Sequence, residues 1–143
     1  MSTLHAALVT LVATRLAALG DAAETELMPS SDPVAFPARH IFDEGHALGD
    51  SDAGSTRFDL GITVEGYVEQ AGGTAAYLAL HDLYAATVRA LITEPPLDGL
   101  AETIDEGDLR IFVAPRASRD RLSFSLDLSI TFSACRDDPA QPA

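Results

Sequence analysis

Two long stretches of alternating side chains constrain the fold of this chain more than any other feature of its sequence. In residues 57–70 and again in residues 121–133, apolar side chains fill one set of alternate positions and mostly polar side chains fill the other. A period of two over so many residues predicts β-strands with one buried face and one solvated face. At about 3.3 Å per residue each strand would span roughly 40 Å, about twice the usual length. Such strands extend past the core of a small domain, so we expect their surplus edges to contact other copies of the protein.

Two further segments have the spacing of amphipathic helices. Residues 4–19 place Leu and Val side chains three and four positions apart, and Gly20 follows them as a favourable helix end. A second helix is predicted from Thr74, which is a suitable N-cap, to about Ile92. The prolines at positions 95 and 96 end this second helix.

The remaining segments predict shorter strands and connections. Residues 21–33 are polar and contain prolines, so they predict a connector. Residues 34–42 predict a short strand at a sheet edge, because Pro37 cannot donate a backbone hydrogen bond. Residues 43–56 are rich in Gly, Asp and Ser and predict a long mobile loop, and residues 109–113 predict another short strand.

This order of elements predicts a single α+β domain over residues 1–134, followed by a flexible C-terminal tail at residues 135–143. We expect a two-layer sandwich, in which an antiparallel or mixed sheet of about four to five strands carries two main helices on one face. A sheet covered on both faces would need apolar residues where the long strands carry Ser, Thr and Asp.

The net charge of −13 over 143 residues limits the partners of the protein. A surface this acidic repels phosphate backbones and anionic membranes, which argues against nucleic-acid binding and membrane association. The N-terminal apolar run is interrupted by polar residues and has no basic lead-in, so it predicts a helix and not a signal peptide or a transmembrane span. Cys135 is the only cysteine, which excludes internal disulfides and cysteine-based zinc sites and favours a reducing, intracellular compartment.

The sequence contains no recognisable catalytic constellation. The one compact set of possible metal ligands is His40, Asp43, Glu44 and His46, but its spacing matches no familiar zinc arrangement and favours a solvated loop. A hydrolase serine would need a Gly-x-Ser-x-Gly turn, which is absent from the sequence. We therefore predict no enzymatic activity, no cofactor and no metal.

A charge pattern suggests a contact between copies of the chain. The basic residues around the last predicted hairpin are Arg110, Arg116, Arg119 and Arg121. Acidic residues concentrate in the predicted loop, at Asp43, Glu44, Asp50 and Asp52, and before the third strand, at Glu102, Asp105, Glu106 and Asp108. A solvated turn would also explain any single arginine. Our hypothesis is a head-to-tail contact in which the basic hairpin of one copy meets an acidic patch on the next, a geometry that generates closed rings.

The arrangement resembles the tail terminator, or tail completion, proteins of long-tailed bacteriophages. The resemblance covers about residues 4–133 and rests on the pattern and order of the elements. Its parts are the N-terminal helix, a variable loop, the strand passage from Phe58 to Tyr67, the helix at residues 75–92, the Pro-Leu-Asp-Gly-Leu connector at residues 96–100 and two closing strands.

The resemblance implies a structural protein of the virion that is assembled in the host cytoplasm and lies at the head–tail junction. Proteins of this family form a ring, commonly a hexamer, on the head-proximal end of the tail tube. The ring stops the addition of tube subunits and offers a docking surface to the neck proteins of the head. The family has no catalytic motif to carry over. DNA would pass through the channel without specific binding, since an acidic channel repels phosphate.

Three other interpretations remain open from the sequence. A head–tail joining protein or a tail-tube protein would also use a small α+β subunit with long strands. In a different class, a small metal-dependent enzyme or ligand-binding domain would use His40, Asp43, Glu44 and His46. A soluble scaffold domain of a cellular complex is the third interpretation.

Overall fold

The computed structural model describes residues 2–69, 73–116 and 119–143, and it describes side chains outside residues 114–120. Within these residues the chain forms two α-helices, six strands and one short 3₁₀ helix. In chain order the elements are α1 (Leu4–Ala18), β1 (Glu24–Leu27), β2 (Ala38–Ser51), β3 (Ser55–Glu69), α2 (Gly73–Leu91), the 3₁₀ helix (Pro96–Gly99), β4 (Thr103–Arg116), β5 (Arg119–Cys135) and β6 (Asp138–Pro142).

The six strands form one mixed sheet that curls into a half-barrel. The strand order is β1-β2-β3-β5-β4, and β6 pairs with the end of β5. Only β1 and β2 run parallel, while the other pairs are antiparallel. The ladder between β3 and β5 runs without a break from Ser55 opposite Cys135 to Glu69 opposite Arg121. The two long alternating stretches of the sequence are therefore neighbours at the centre of the sheet.

The two long hairpins project from opposite ends of this sheet. The β2–β3 turn follows Ser51 and lies beside the C-terminal end of β5, because Ser55 pairs with Cys135. At the other end, the last described pair of β4 with β5, Arg116 with Arg119, lies beyond the pair of Arg121 with Glu69. The β3–β5 ladder covers all of β3, so the β2–β3 hairpin extends past it only by residues 52–54.

The core lies between the apolar face of the sheet and the two helices. Residues opposite each other in an antiparallel ladder share a face, so the buried side chains of β3 lie beside those of β5. The largest fully buried apolar side chains of the sheet are Ile41, Leu60, Ile62, Phe124, Leu126 and Phe132. From the helices they are Leu8 and Leu16 of α1 and Leu80 and Leu91 of α2. The burial of these side chains against the sheet explains why apolar residues recur at helical spacing in both helices.

One fully buried arginine links the sheet to α2. Arg39 of β2 is 0% exposed and donates to both carboxylate oxygens of Asp21, at 2.5 and 2.9 Å. Its Nε donates to Oγ1 of Thr87 at 2.8 Å, and Nη2 donates to the carbonyl of Leu83 at 3.1 Å. The hydrogen bond from Arg39 lowers the pKa of Asp21 below its ordinary value. A buried charge of this kind is tolerated because it is paired with a carboxylate and hydrogen-bonded through Nε and both Nη atoms.

The structure confirms the α+β class and the two main helices. The sheet has six strands rather than four to five, and because it curls into a half-barrel the two-layer sandwich is not confirmed. The prediction of a long mobile loop at residues 43–56 is wrong, since this segment belongs to the β2–β3 hairpin. Its polar and glycine-rich composition reflects a strand whose residues 44–51 are exposed on both faces, so no apolar alternation develops.

Other differences concern the ends of the sheet. The connector predicted at residues 21–33 contains β1, which pairs with residues 38–41 of β2, so the predicted edge position of that part of β2 is wrong. The strand predicted at residues 109–113 is the much longer β4. Within residues 135–143, Asp138–Pro142 form β6. The flexibility of this tail and the domain boundary at residue 134 stay predictions.

Candidate functional site

The sheet has two edges that lack a strand partner within the described part of the chain. At one end of the strand order, β4 pairs with β5 alone, so its outer edge is open. At the other end, β1 pairs only with residues 38–41 of β2, and the N–H of Asp43 donates to Sδ of Met28, so the outer edge of β2 is open over residues 44–51. Unpaired backbone groups along such edges are ready to bind another strand. These two segments are called the β4 edge and the β2 edge below.

The β4 edge carries exposed apolar side chains. Ile111, Phe112 and Val113 are 41%, 47% and 67% exposed. Ile111 and Val113 lie opposite Phe124 and Leu122 on the helix-bearing face, whereas Phe112 lies opposite Ser123 on the polar face. An open edge with three consecutive exposed apolar residues is a pairing or aggregation site unless something covers it.

The polar face of the sheet is held together by paired charges and hydroxyl groups. The pairs are Arg57 with Glu102, Arg110 with Asp127, Thr63 with Asp127, Thr131 with Asp59 and Ser133 with Glu102. Arg110 donates two hydrogen bonds of 3.1 Å to the two carboxylate oxygens of Asp127, which raises the pKa of Arg110. The arginines of this face thus meet carboxylates of the same chain and are poorly placed to bind phosphate.

The predicted basic cluster is only partly described. Arg110 is paired with Asp127, as above, and the guanidinium of Arg121 lies 5.0 Å from the ring centroid of Phe36 and 4.0 Å from Glu69. The backbones of Arg116 and Arg119 pair with each other next to the β4–β5 turn. The side chains of Arg116 and Arg119 lie outside the described residues.

The predicted acidic residues do not act as one group. Asp43 binds His5 and the backbone N–H of Gly45, and Asp52 caps the β2–β3 turn by accepting from the N–H groups of Gly54 and Ser55 at 2.8 Å each. These backbone hydrogen bonds lower the pKa of Asp52. Glu44 and Asp50 are exposed on β2. Of these four acidic residues, Glu44 and Asp50 are the two displayed along the β2 edge.

The structure does not bring the four possible metal ligands together. His40 pairs with Glu65 of β3 and lies on the polar face, where it is bound to Glu24 and lowers the pKa of that carboxyl. Asp43 and His46 instead pair with Ile62 and Leu60 and lie on the helix-bearing face. Among the described residues no group of three or more His, Cys, Asp or Glu could hold a metal ion.

A different cluster, which the sequence spacing does not predict, forms around His5. Its Nδ1 lies 2.7 Å from Nδ1 of His46, and its Nε2 lies 2.7 Å from Oδ2 of Asp43. The cluster borders a pocket of about 240 Å³ that is lined by Thr3, His5, His46, Phe58, Phe132 and Pro139. His5 and His46 are 41 residues apart, so only the tertiary structure reveals their contact.

No protein-family model matches the sequence, and no curated protein matches it. Within the described residues, neither helix is long and apolar enough to cross a membrane. The function must therefore be inferred from the two sheet edges, the polar face and the histidine cluster.

Proposed function

We propose that this protein is a ring-forming tail terminator of a long-tailed bacteriophage, a structural and non-enzymatic component of the virion. Its ring, commonly a hexamer in the family that it resembles, would cap the head-proximal end of the tail tube. It would stop tube polymerisation and offer a surface to the neck proteins of the head. The observation that carries the proposal is the pair of open sheet edges at opposite ends of the strand order.

The two edges supply unlike surfaces, which is what a closed ring requires. If the β4 edge of one copy pairs with the β2 edge of the next, the contact is head-to-tail and repeats until the ring closes. Such a contact would cover Phe112 and Val113, and it would bring them towards Leu48, which is 74% exposed on β2. The helices would remain on one side of the joined sheets.

The charge distribution supports passage of DNA without binding. The polar face carries carboxylates that are already paired with arginine and hydroxyl partners of the same chain. A channel lined by this face would repel phosphate, and it would offer few unpaired cations to replace the counterions of DNA. This property distinguishes a conduit from a nucleic-acid-binding protein.

A head–tail joining protein or a tail-tube protein would use the same open edges and stays an alternative. A metal-dependent enzyme that uses His40, Asp43, Glu44 and His46 is not favoured, because His40 lies on the opposite face of the sheet from Asp43 and His46. The phenotype of a deletion tests the assignment as a terminator. Loss of a terminator should give overlong or headless tails, and normal infectious particles would contradict the proposal.

The edge contact can be tested with a matched pair of variants. Val113→Asp places a charge on the β4 edge, whereas Val34→Asp places the same charge on a side chain that is 86% exposed in the segment between β1 and β2. We expect Val113→Asp to abolish ring formation and Val34→Asp to preserve it, as measured by analytical ultracentrifugation with and without purified tail tubes. Equal assembly of both variants would refute the role of this edge.

Mixing the variant with wild-type protein distinguishes a head-to-tail contact from a two-fold one. A Val113→Asp copy keeps an intact β2 edge, so it should join a growing wild-type arc and then block the next addition. Substoichiometric variant should therefore deplete complete rings. If two β4 edges met each other instead, the variant would be left out, and the wild-type protein would assemble undisturbed.

A further inference from the structure

We propose that His5, His46 and Asp43 form an acid-sensitive clasp that holds the first turn of α1 against the β2–β3 hairpin. The clasp is closed when at most one extra proton is bound to the two histidines, and it opens when both are protonated. This inference goes beyond the proposed function and does not rest on ring assembly.

The geometry fixes the number of protons that the closed clasp can hold. The two Nδ1 atoms lie 2.7 Å apart, which is a hydrogen-bond distance and requires one hydrogen between them. His5 Nε2 lies 2.7 Å from Asp43 Oδ2, so it carries a hydrogen that it donates to the carboxylate. With both rings neutral, His46 Nδ1–H donates to the bare Nδ1 of His5, and both contacts are satisfied.

One extra proton leaves both contacts intact. An imidazolium at either residue keeps a single hydrogen between the Nδ1 atoms, because the other ring still has a bare Nδ1. A second extra proton places a hydrogen on each Nδ1, so two N–H groups and two positive charges face each other at 2.7 Å. The rings must then separate. Protonation of both histidines and closure of the clasp therefore exclude each other.

The surroundings of the two rings favour the neutral pair. His46 packs on Phe58 with a centroid distance of 4.3 Å, and the His5 ring lies 6.4 Å from Phe132. Partial burial and then the neighbouring His5 lower the pKa of His46, while Asp43 acts in the opposite direction.

The charged groups around the clasp come from few elements. The first turn of α1 contains no acidic residue, and β3, β5 and β6 contribute Phe58, Phe132 and Pro139 to the pocket. Glu44 of β2 lies near Gly61 on the polar face, and Asp138 of β6 caps the N–H of Ala140. Among the described side chains, Asp43 is thus the negative charge that acts on His46.

The position of the clasp gives it a structural consequence. Asp43 and His46 flank a bulge in β2, where the register with β3 shifts between these two residues. This bulge lies at the root of the exposed part of β2. Opening the clasp would free the first turn of α1 and this root of the hairpin, while buried side chains such as Leu8 and Val12 would keep the rest of α1 in place.

The test is to follow histidine protonation and local opening in the same protein as the pH is lowered. Nitrogen-15 NMR of the imidazoles reports the tautomers, and hydrogen exchange corrected for intrinsic rates reports the opening of residues 4–7 and 43–47. Because the closed form always holds at least one proton fewer than the doubly protonated open form, the equilibrium constant for opening should rise at least about tenfold per pH unit once the pH is well below the ordinary histidine pKa of about 6.5.

Two variants and one control keep the test decisive. His46→Phe and His5→Gln should each abolish this pH dependence, and His81→Phe, which lies between Tyr77 and Tyr84 on α2, should retain it. Far-UV circular dichroism at pH 8 shows whether each variant is folded. If one of the two variants fails to fold, the pH dependence of the other variant provides the test. Independent titration of the two wild-type histidines without local opening, or a pH dependence that persists in both variants, would overturn the clasp.

Discussion

Replacement of Gly66 by alanine should be far more damaging than the same change five residues earlier in the strand. Gly66 lies opposite Phe124 in the β3–β5 ladder, and the Phe124 ring is fully buried. A Cβ at residue 66 would lie closer than 3.0 Å to three ring carbons of Phe124. A Cβ at Gly61 would meet only the Cβ of Glu44, at an ordinary contact distance of 3.5 Å. Gly61→Ala is therefore a matched control in the same strand.

The free energies of unfolding of the two variants should differ measurably. Forcing a methyl group into a packed core typically costs about 1–3 kcal/mol, because side chains or backbone must shift. Alanine also restricts the unfolded chain relative to glycine, which stabilises both variants by about 0.5–1 kcal/mol. We therefore expect Gly66→Ala to lose about 1–2 kcal/mol net and Gly61→Ala to lose none. For a domain of this size about 1 kcal/mol corresponds to a Tm shift of about 4 °C.

Urea unfolding followed by far-UV circular dichroism measures both free energies. A double variant with Phe124→Leu provides a second criterion, since removing the ring should reduce the cost of Gly66→Ala by about 1 kcal/mol or more. Equal stabilities of the Gly66→Ala and Gly61→Ala proteins would refute the reasoning, because they would show that the Phe124 ring does not limit the space above Gly66.

Two further predictions concern charges. Asp21→Asn should lower the free energy of unfolding by about 1–2 kcal/mol at pH 7, less than for a fully buried pair because Asp21 is partly exposed. The pKa of Asp21 is lower in the folded protein than in the unfolded chain, so the stabilisation by this carboxylate is present above the unfolded pKa and is lost as the pH falls through the lowered pKa. Denaturation at several acidic pH values should therefore show the stability difference between Asp21→Asn and wild type becoming smaller. Reversing Arg116 and Arg119 to glutamate should weaken assembly in sedimentation experiments, and unchanged assembly would count against the basic hairpin as a contact.

The sequence predicts those parts of the fold whose signals are local. The alternation in β3 and β5 is visible because one face of each strand is buried along most of its length. The exposed half of β2 gives no such signal, because Gly45 and Gly49 interrupt it and no core lies beneath it. Its strand character comes from hydrogen bonds to β3, which is a non-local pairing. Residue spacing alone therefore assigned it to a loop.

The same limit applies to the candidate sites. Arg110 looks like a free cation in the sequence, but strand register places it beside Asp127. His5 and His46 look unrelated, and they meet only because α1 lies across the root of the β2–β3 hairpin. Conversely, His40 and Asp43 are close in sequence but point to opposite faces of a strand, which separates neighbours three residues apart. Sequence proximity thus makes these residues look like possible metal ligands, although strand geometry separates them.

The two open edges carry different side chains, and this difference limits which edges of two copies can pair with each other. The net charge of −13 opposes close approach of any two copies, so an edge contact must offset that repulsion by burying apolar surface. Among the described side chains, the exposed apolar part of the β4 edge is Ile111–Val113, whereas its first half carries Asp105, Glu106 and Asp108. Two β4 edges in antiparallel contact would set the acidic half of each against the apolar half of the other. The β2 edge offers Leu48 between the exposed Glu44 and Asp50, so a head-to-tail contact must set Leu48, and not these carboxylates, against the apolar part of the β4 edge.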